Sequence, residues 1–191
     1  MDGKEKNGGI AVLFPGIGYT CDKPLLYYAG KLAAKKGYQV VPVPYGNFPS
    51  GVKGNKEKME QSFYNALEQA EEILKEIRWE QYESILFISK SVGTIVSSAY
   101  AGKHHLQVKN ILFTPLAETF QFAGKEGIAF HGTSDPWAKT EDIVSGCKML
   151  GIPLFVTEDA NHSLETGDVM VDLDTLRNVM VQVDSYIREK K

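Results

Sequence analysis

Residues 85–93 read Ile85-Leu86-Phe87-Ile88-Ser89-Lys90-Ser91-Val92-Gly93. Four successive apolar residues predict a short strand, Ile85–Ile88, buried on both faces. The segment Ser91–Tyr100 reads as the helix behind it. The junction Ser89-Lys90-Ser91-Val92-Gly93 therefore sits on a sharp strand-to-helix turn. A nucleophile on such a turn needs small neighbours two residues to either side, or the turn cannot close. It also stands over a helix N-terminus, where an oxyanion is favoured. Gly93 meets the need, and Ser89 replaces the usual first glycine with another small residue. The plainer alternative is a serine that caps an ordinary helix. The rest of the chain has to choose between them.

Outward from this junction, short apolar runs alternate with helical patterns. Ile10–Phe14 reads as the first strand, stopped by Pro15-Gly16, and Leu25–Lys36 as a helix ended by Gly37. Tyr38–Val43 is the second strand. The loop 46–55 has Gly or Pro at four of its ten positions. A long amphipathic helix follows at about 56–78, with Phe63, Ala66, Leu67, Ala70, Leu74 and Ile77 at helical spacing. Beyond the junction come strands at Val108–Phe113, Ile128–Phe130 and Ile152–Val156. Glu118–Phe122 reads as a short helical turn and Lys139–Leu150 as a helix. The last helix spans about 169–187, with Val169, Leu173, Leu176, Met180, Val183 and Ile187 as its expected buried stripe. Strict β–α alternation demands a parallel sheet with helices on both faces, and functional residues just past the strands' carboxyl ends.

Composition sets the bounds. The 191 residues suit one domain, with a polar tail at 1–8 expected to be flexible, and 43% of them are apolar. A net charge of −3 gives no field toward nucleic acid. The cluster Lys31, Lys35 and Lys36 reads as a solvated face. No apolar run has the length of a membrane span, and the amino end has no secretory pattern. The expectation is a soluble, cytoplasmic protein. Cys21 and Cys147 stand far apart with no metal-ligand spacing, so two free thiols are expected and no metal or organic cofactor.

Two later segments select the nucleophile reading of Ser91. His131-Gly132-Thr133-Ser134-Asp135-Pro136-Trp137 follows the fifth strand and places Asp135 in a proline-fixed turn. Alone it reads as a turn and helix cap. Asp159-Ala160-Asn161-His162-Ser163 follows the sixth strand. The order Ser91, Asp135, His162, each past a late strand, matches a serine–acid–histidine triad on a parallel sheet. Glu158 and Asp159 are alternative acids, but they lie close to His162 along the chain. A tetrahedral oxyanion needs two backbone N–H donors. Val92 offers one. Phe14-Pro15-Gly16-Ile17-Gly18-Tyr19 offers the other, from Ile17 or alternatively Gly18.

Other patterns carry less. Gly16-Ile17-Gly18-Tyr19-Thr20-Cys21 nearly spells a dinucleotide loop, but Cys21 replaces the third glycine and Val43-Pro44-Tyr45 supplies no acid. Ser50-Gly51-Val52-Lys53 spells SxxK in a loop rather than at a helix start. His104 and His105 suit a helix end, and His131 the wall of the site. Lys90 reads as an exposed or supporting lysine, with tuning of the pocket's field as the alternative.

These residues resemble the α/β-hydrolase superfamily over nearly the whole chain. The Gly-Thr-x-Asp-Pro segment at 132–136 is similar to that of small, cap-less esterases of the dienelactone-hydrolase kind. The resemblance implies a three-layer α/β/α sandwich with a six-stranded parallel sheet, order 2-1-3-4-5-6. Two departures stand out. No N-terminal antiparallel strand pair precedes the first strand, and Pro15 stands where a histidine is common. Only the 14 residues Thr114–Gly127 link the fourth and fifth strands, too few for a lid. The expected site is open, walled by Ile17, Tyr19, Leu116, Phe120, Phe122 and Trp137, and suited to short acyl groups. The expected substrate is a small ester or thioester. A binding module retaining the fold, or an acyltransferase or peptidase with the same triad, are the alternatives. Oligomeric state is not legible.

Overall fold

The computed structural model describes residues 7–188. Six strands form one parallel sheet: β1 (Asn7–Phe14), β2 (Gln39–Pro42), β3 (Tyr82–Lys90), β4 (Lys109–Phe113), β5 (Gly127–Gly132) and β6 (Leu154–Thr157). Their order is β2-β1-β3-β4-β5-β6, as expected. The described residues also form five α-helices: α1 (Pro24–Lys35), α2 (Lys56–Leu74), α3 (Val92–Lys103), α4 (Thr140–Leu150) and α5 (Val169–Arg188).

The period-two pleat sorts the strand residues between two faces. Ala11, Leu13, Leu86, Ile88, Ile111, Phe113, Ile128 and Phe130 meet α1 and α5. Phe113, Phe130 and Phe155 stack in a column there, with centroids 5.3 and 5.2 Å apart. Ile10, Val12, Phe14 and Phe87 meet α2 and α3 on the other face. Leu112 and Ala129 share that face and meet α4. Residues 10–14 of β1 and 86–90 of β3 are all buried, which is why these runs read as nearly continuous apolar stretches.

The boundaries differ from the sequence reading where backbone pairing outruns side-chain hydrophobicity. β1 and β3 lie at the centre and pair from Asn7↔Tyr82 to Phe14↔Ser89. Residues 7 and 8 of the expected flexible tail are thus strand, and residues 1–6 lie outside the described residues. The expected helix to Arg78 stops at Leu74, because the chain turns to bring Trp79 against Phe87 and Tyr100.

The buried stripe of the last helix also needs correction. Val169 is 70% exposed and Leu173 54% exposed. The helix settles onto α1 and the sheet only from Leu176 onward, through Val179, Met180, Val183 and Ile187. Asp168 caps its start by accepting from the backbone N–H of Met170 and Val171. Cys21 and Cys147 are free thiols. No helix among the described residues is long and apolar enough to cross a membrane.

Candidate active site

Ser91 joins β3 to α3 at φ 56° and ψ −127°, a backbone region that residues with a Cβ rarely occupy. Holding it costs about 1–3 kcal/mol, so the surroundings must over-determine it. Its N–H donates to the Phe113 carbonyl at 3.1 Å. Its carbonyl accepts from the Thr94 hydroxyl at 2.6 Å, and that hydroxyl is bonded to Thr119 at 2.6 Å. The small residues of the junction now have a measured reason. A Cβ on Gly93 would stand 2.3 Å from the Phe14 carbonyl oxygen and 2.5 Å from that of Pro15. Ser89 fits in the first small position, buried, with its hydroxyl 3.3 Å from the Ile111 carbonyl.

The three side chains picked from sequence converge. His162 Nε2 lies 2.7 Å from Ser91 Oγ. His162 Nδ1 lies 2.7 Å from Asp135 Oδ2. A carboxylate only accepts, so Nδ1 carries the proton and Nε2 is left to accept from the serine hydroxyl. The second oxygen of Asp135 accepts from the Trp137 N–H at 2.8 Å, which fixes the carboxylate plane. The Trp137 ring stacks on the imidazole at 5.5 Å between centroids.

The loops carrying acid and base are tied together. Ser134 N–H donates to the Ala160 carbonyl at 2.9 Å, and Thr133 N–H to that of Thr157 at 3.0 Å. Asn161 Oδ1 accepts from Ser163 N–H at 2.7 Å, forming an Asx turn around His162. The alternative acids are held elsewhere. The Thr133 hydroxyl donates to Glu158 at 3.2 Å and accepts from the Asp159 N–H at 2.8 Å.

Thr114 was missed by the sequence reading. Fully buried at φ 40°, it donates its hydroxyl to the His162 carbonyl at 3.0 Å. The signal was available, since Thr114 directly follows β4 at the carboxyl edge that selected the other residues.

Gly16 and Tyr19 exchange backbone hydrogen bonds at 3.1 and 3.2 Å. This leaves the Ile17 and Gly18 N–H groups outside the turn's own pairing. Gly18 takes φ 69°, the left-handed value that the third position of a type II turn needs. A Cβ on Gly16 would press to 3.0 Å from that of Ser91, so the turn lies directly against the serine. Tyr45 and Tyr19 brace this segment. The Tyr45 hydroxyl donates to the Pro15 carbonyl at 2.6 Å, and the Tyr19 oxygen accepts from Leu25 N–H at 3.1 Å. Val92 opens α3, where N–H groups lack partners within the helix.

Lys90 is not on the surface. It follows Ile88 by two residues, so the pleat turns it into the α1–α5 layer, where it is only 2% exposed. Its ammonium lies 4.8 Å from the centroid of the Tyr19 ring. Burial brings its pKa down from 10.5 to about 7, against the pull of Asp135 and Glu165. Burial also lowers the His162 pKa, helped by the Lys90 charge and opposed by Asp135. His131 donates to or accepts from Thr140 at 3.0 Å, and its other nitrogen is 3.9 Å from Asp135, too far to bond.

The expected pocket wall is only partly assembled. Tyr19 and Trp137 flank the triad loops. Leu116 is buried, and Phe120 packs in the core beneath α4, touching Gly146, rather than facing an open groove. Phe122 stacks on Phe63 and lines a cleft with Gly102 and Leu106, at the opposite end of α3 from Ser91. The link carrying these three runs through a 3₁₀ turn, Ala117–Gln121, one residue from the helical turn expected at Glu118–Phe122. His104 caps α3 and bonds Glu71 at 2.9 Å, as its place at a helix end suggested. Ser50 and Lys53 are exposed in the loop before α2.

No family model and no curated protein matches the sequence. Solved structures do match. A lid-less α/β serine hydrolase from Xanthomonas campestris superposes with a TM-score of 0.71 at 13% identity, over 98% of this chain and 84% of that one. An esterase from Pyrococcus furiosus superposes at 0.64 and 13% identity, over 96% and 83%. Est1E from Butyrivibrio proteoclasticus, solved with ferulic acid bound, does so at 0.63 and 11% identity, over 95% and 92%. The chain has the α/β-hydrolase fold in its lid-less form.

Proposed function

We propose that this chain is a serine hydrolase that cleaves a carboxylic ester or thioester of a small molecule through an acyl-enzyme. The observation that carries the reading is the unbroken path from Ser91 Oγ through the imidazole to Asp135, with 2.7 Å at each contact. The strained backbone at Ser91 supports it, because such strain persists where a side chain must be presented. The esterase neighbour, and the carboxylic acid held by Est1E, support acyl chemistry over other hydrolyses.

Ser91 Oγ attacks the carbonyl carbon while its proton passes to His162 Nε2. Asp135 keeps the imidazole in the productive tautomer and stabilises the imidazolium. The carbonyl oxygen becomes an oxyanion, held by the N–H groups of Val92 and of Ile17 or Gly18. Losing one such donor costs about 2.7–4 kcal/mol of barrier. As the carbon–oxygen or carbon–sulfur bond breaks, His162 gives its proton to the leaving group. Water then attacks the acyl-enzyme, losing a proton to His162. Collapse releases the acid and returns the proton to Ser91.

The test is covalent labelling with a fluorophosphonate, alongside turnover of p-nitrophenyl acetate. Folded protein should be labelled on Ser91, and Ser91→Ala should lose both signals, as should heat-unfolded protein. A folded chain that resists the probe and turns over no ester would instead be a binding module.

A further inference from the structure

An apolar groove runs between the loop that presents Ile17 and the first two turns of α5. Tyr19, Pro24 and Leu164 line it on one side, and Val169, Leu173 and Leu176 on the other. Val169 and Leu173 are the residues expected in the core and found 70% and 54% exposed. Scattered apolar side chains on a surface are ordinary, but a concave set of them beside a reactive site is not. Both walls include chain neighbours of that site. Tyr19 belongs to the turn pressed against Ser91, and Ser163 and Leu164 directly follow His162.

Charge and size narrow the occupant. The charged side chains on the groove are both acidic, Glu165 and Asp172. Asp172 is turned inward to accept from the Thr166 backbone and hydroxyl at 2.6 and 2.9 Å. Lys90, close to the Tyr19 ring, is only 2% exposed. An anionic chain would meet repulsion here and an uncharged one would not. The groove encloses about 230 Å³. A space of that size lies at the small end of ligand pockets, which suits one arm of a substrate rather than a whole molecule.

We propose that this groove binds a linear, uncharged alkyl arm of the substrate ester. The proposal rests on the serine-hydrolase reading, and it replaces the short acyl groups that a lid-less site suggested. The alkyl arm belongs to either the acyl or the alcohol side of the ester, and two substrate series separate these.

One series is p-nitrophenyl esters from acetate to dodecanoate. The other is alkyl acetates from ethyl to dodecyl, followed by acid release. The expected result is that kcat/KM climbs about two- to fourfold per methylene in one series and levels once the groove is filled. Leu173→Asp and Val169→Asp, both at exposed positions, should flatten that climb without lowering the melting temperature. Two flat series from a protein that still turns over acetate and labels on Ser91 overturn the groove assignment alone. A climb that persists in both aspartate variants does the same. No labelling and no turnover overturn the hydrolase reading and the groove with it.

Discussion

Replacing Lys90 with methionine should stabilise the protein at neutral pH and remove a specific part of its pH dependence. The unfolded chain holds the lysine proton up to the ordinary pKa of 10.5, whereas the folded chain releases it at about 7. Between those values unfolding takes up a proton, so stability rises with pH across the window and falls back as pH drops toward 7. The full span, 3.5 pKa units, corresponds to about 5 kcal/mol, of which about 2 kcal/mol falls between pH 7 and pH 9. Tyr19, His162, Asp135 and Glu165 also face the ammonium. Removing the Lys90 charge lets the His162 pKa rise from its lowered value below 6.5, so the comparison is read from pH 7 upward. Methionine keeps an unbranched chain of similar reach in the same layer. Urea unfolding of both proteins at pH 7, 8 and 9 measures the difference directly. The variant should be the more stable at pH 7, and its advantage should shrink by about 2 kcal/mol by pH 9. Parallel stability curves across that window would refute a charge held at cost inside the α1–α5 layer.

Gly93→Ala should lower stability by about 1–3 kcal/mol, because the new methyl group meets two carbonyl oxygens that belong to β1 and the turn after it. The melting temperature and the rate of fluorophosphonate labelling should fall together, and a normal labelling rate would disprove the packing argument. The acid limb of kcat/KM should have its midpoint below pH 6.5, since turnover needs neutral His162 and its pKa is lowered from 6.5. Lys90→Met should move that midpoint upward, and a midpoint at or above 6.5 in the parent protein would contradict the assigned environment.

Much of this architecture is written locally. The strands are short apolar runs between turn signals, and Ser91, Asp135 and His162 each stand where a strand ends. What could not be read depends on distant neighbours. The amino end of β1 is polar, yet it pairs because Tyr82 and Ser84 lie alongside. Helical periodicity marks one face of α5 but not the level at which that face meets the sheet, so Val169 and Leu173 were placed in the core. Phe120 reads as a pocket wall because its packing partners, Ile143 and Cys147 of α4, come later in the chain. Lys90 was read as an exposed or supporting lysine because a lysine's chemistry favours water, and only the pleat of β3 sends it inward.

Acid and base are carried by β5 and β6, the latter a four-residue strand at the sheet's rim, while the nucleophile rises from β3 in the middle. Backbone bonds lash the two outer loops into a single body. Any fraying of that rim withdraws both partners from the hydroxyl at once, with the central strands still paired. Heating should therefore silence the chemistry before it dismantles the sheet, and the weakest part of the machine is its margin rather than its strained serine.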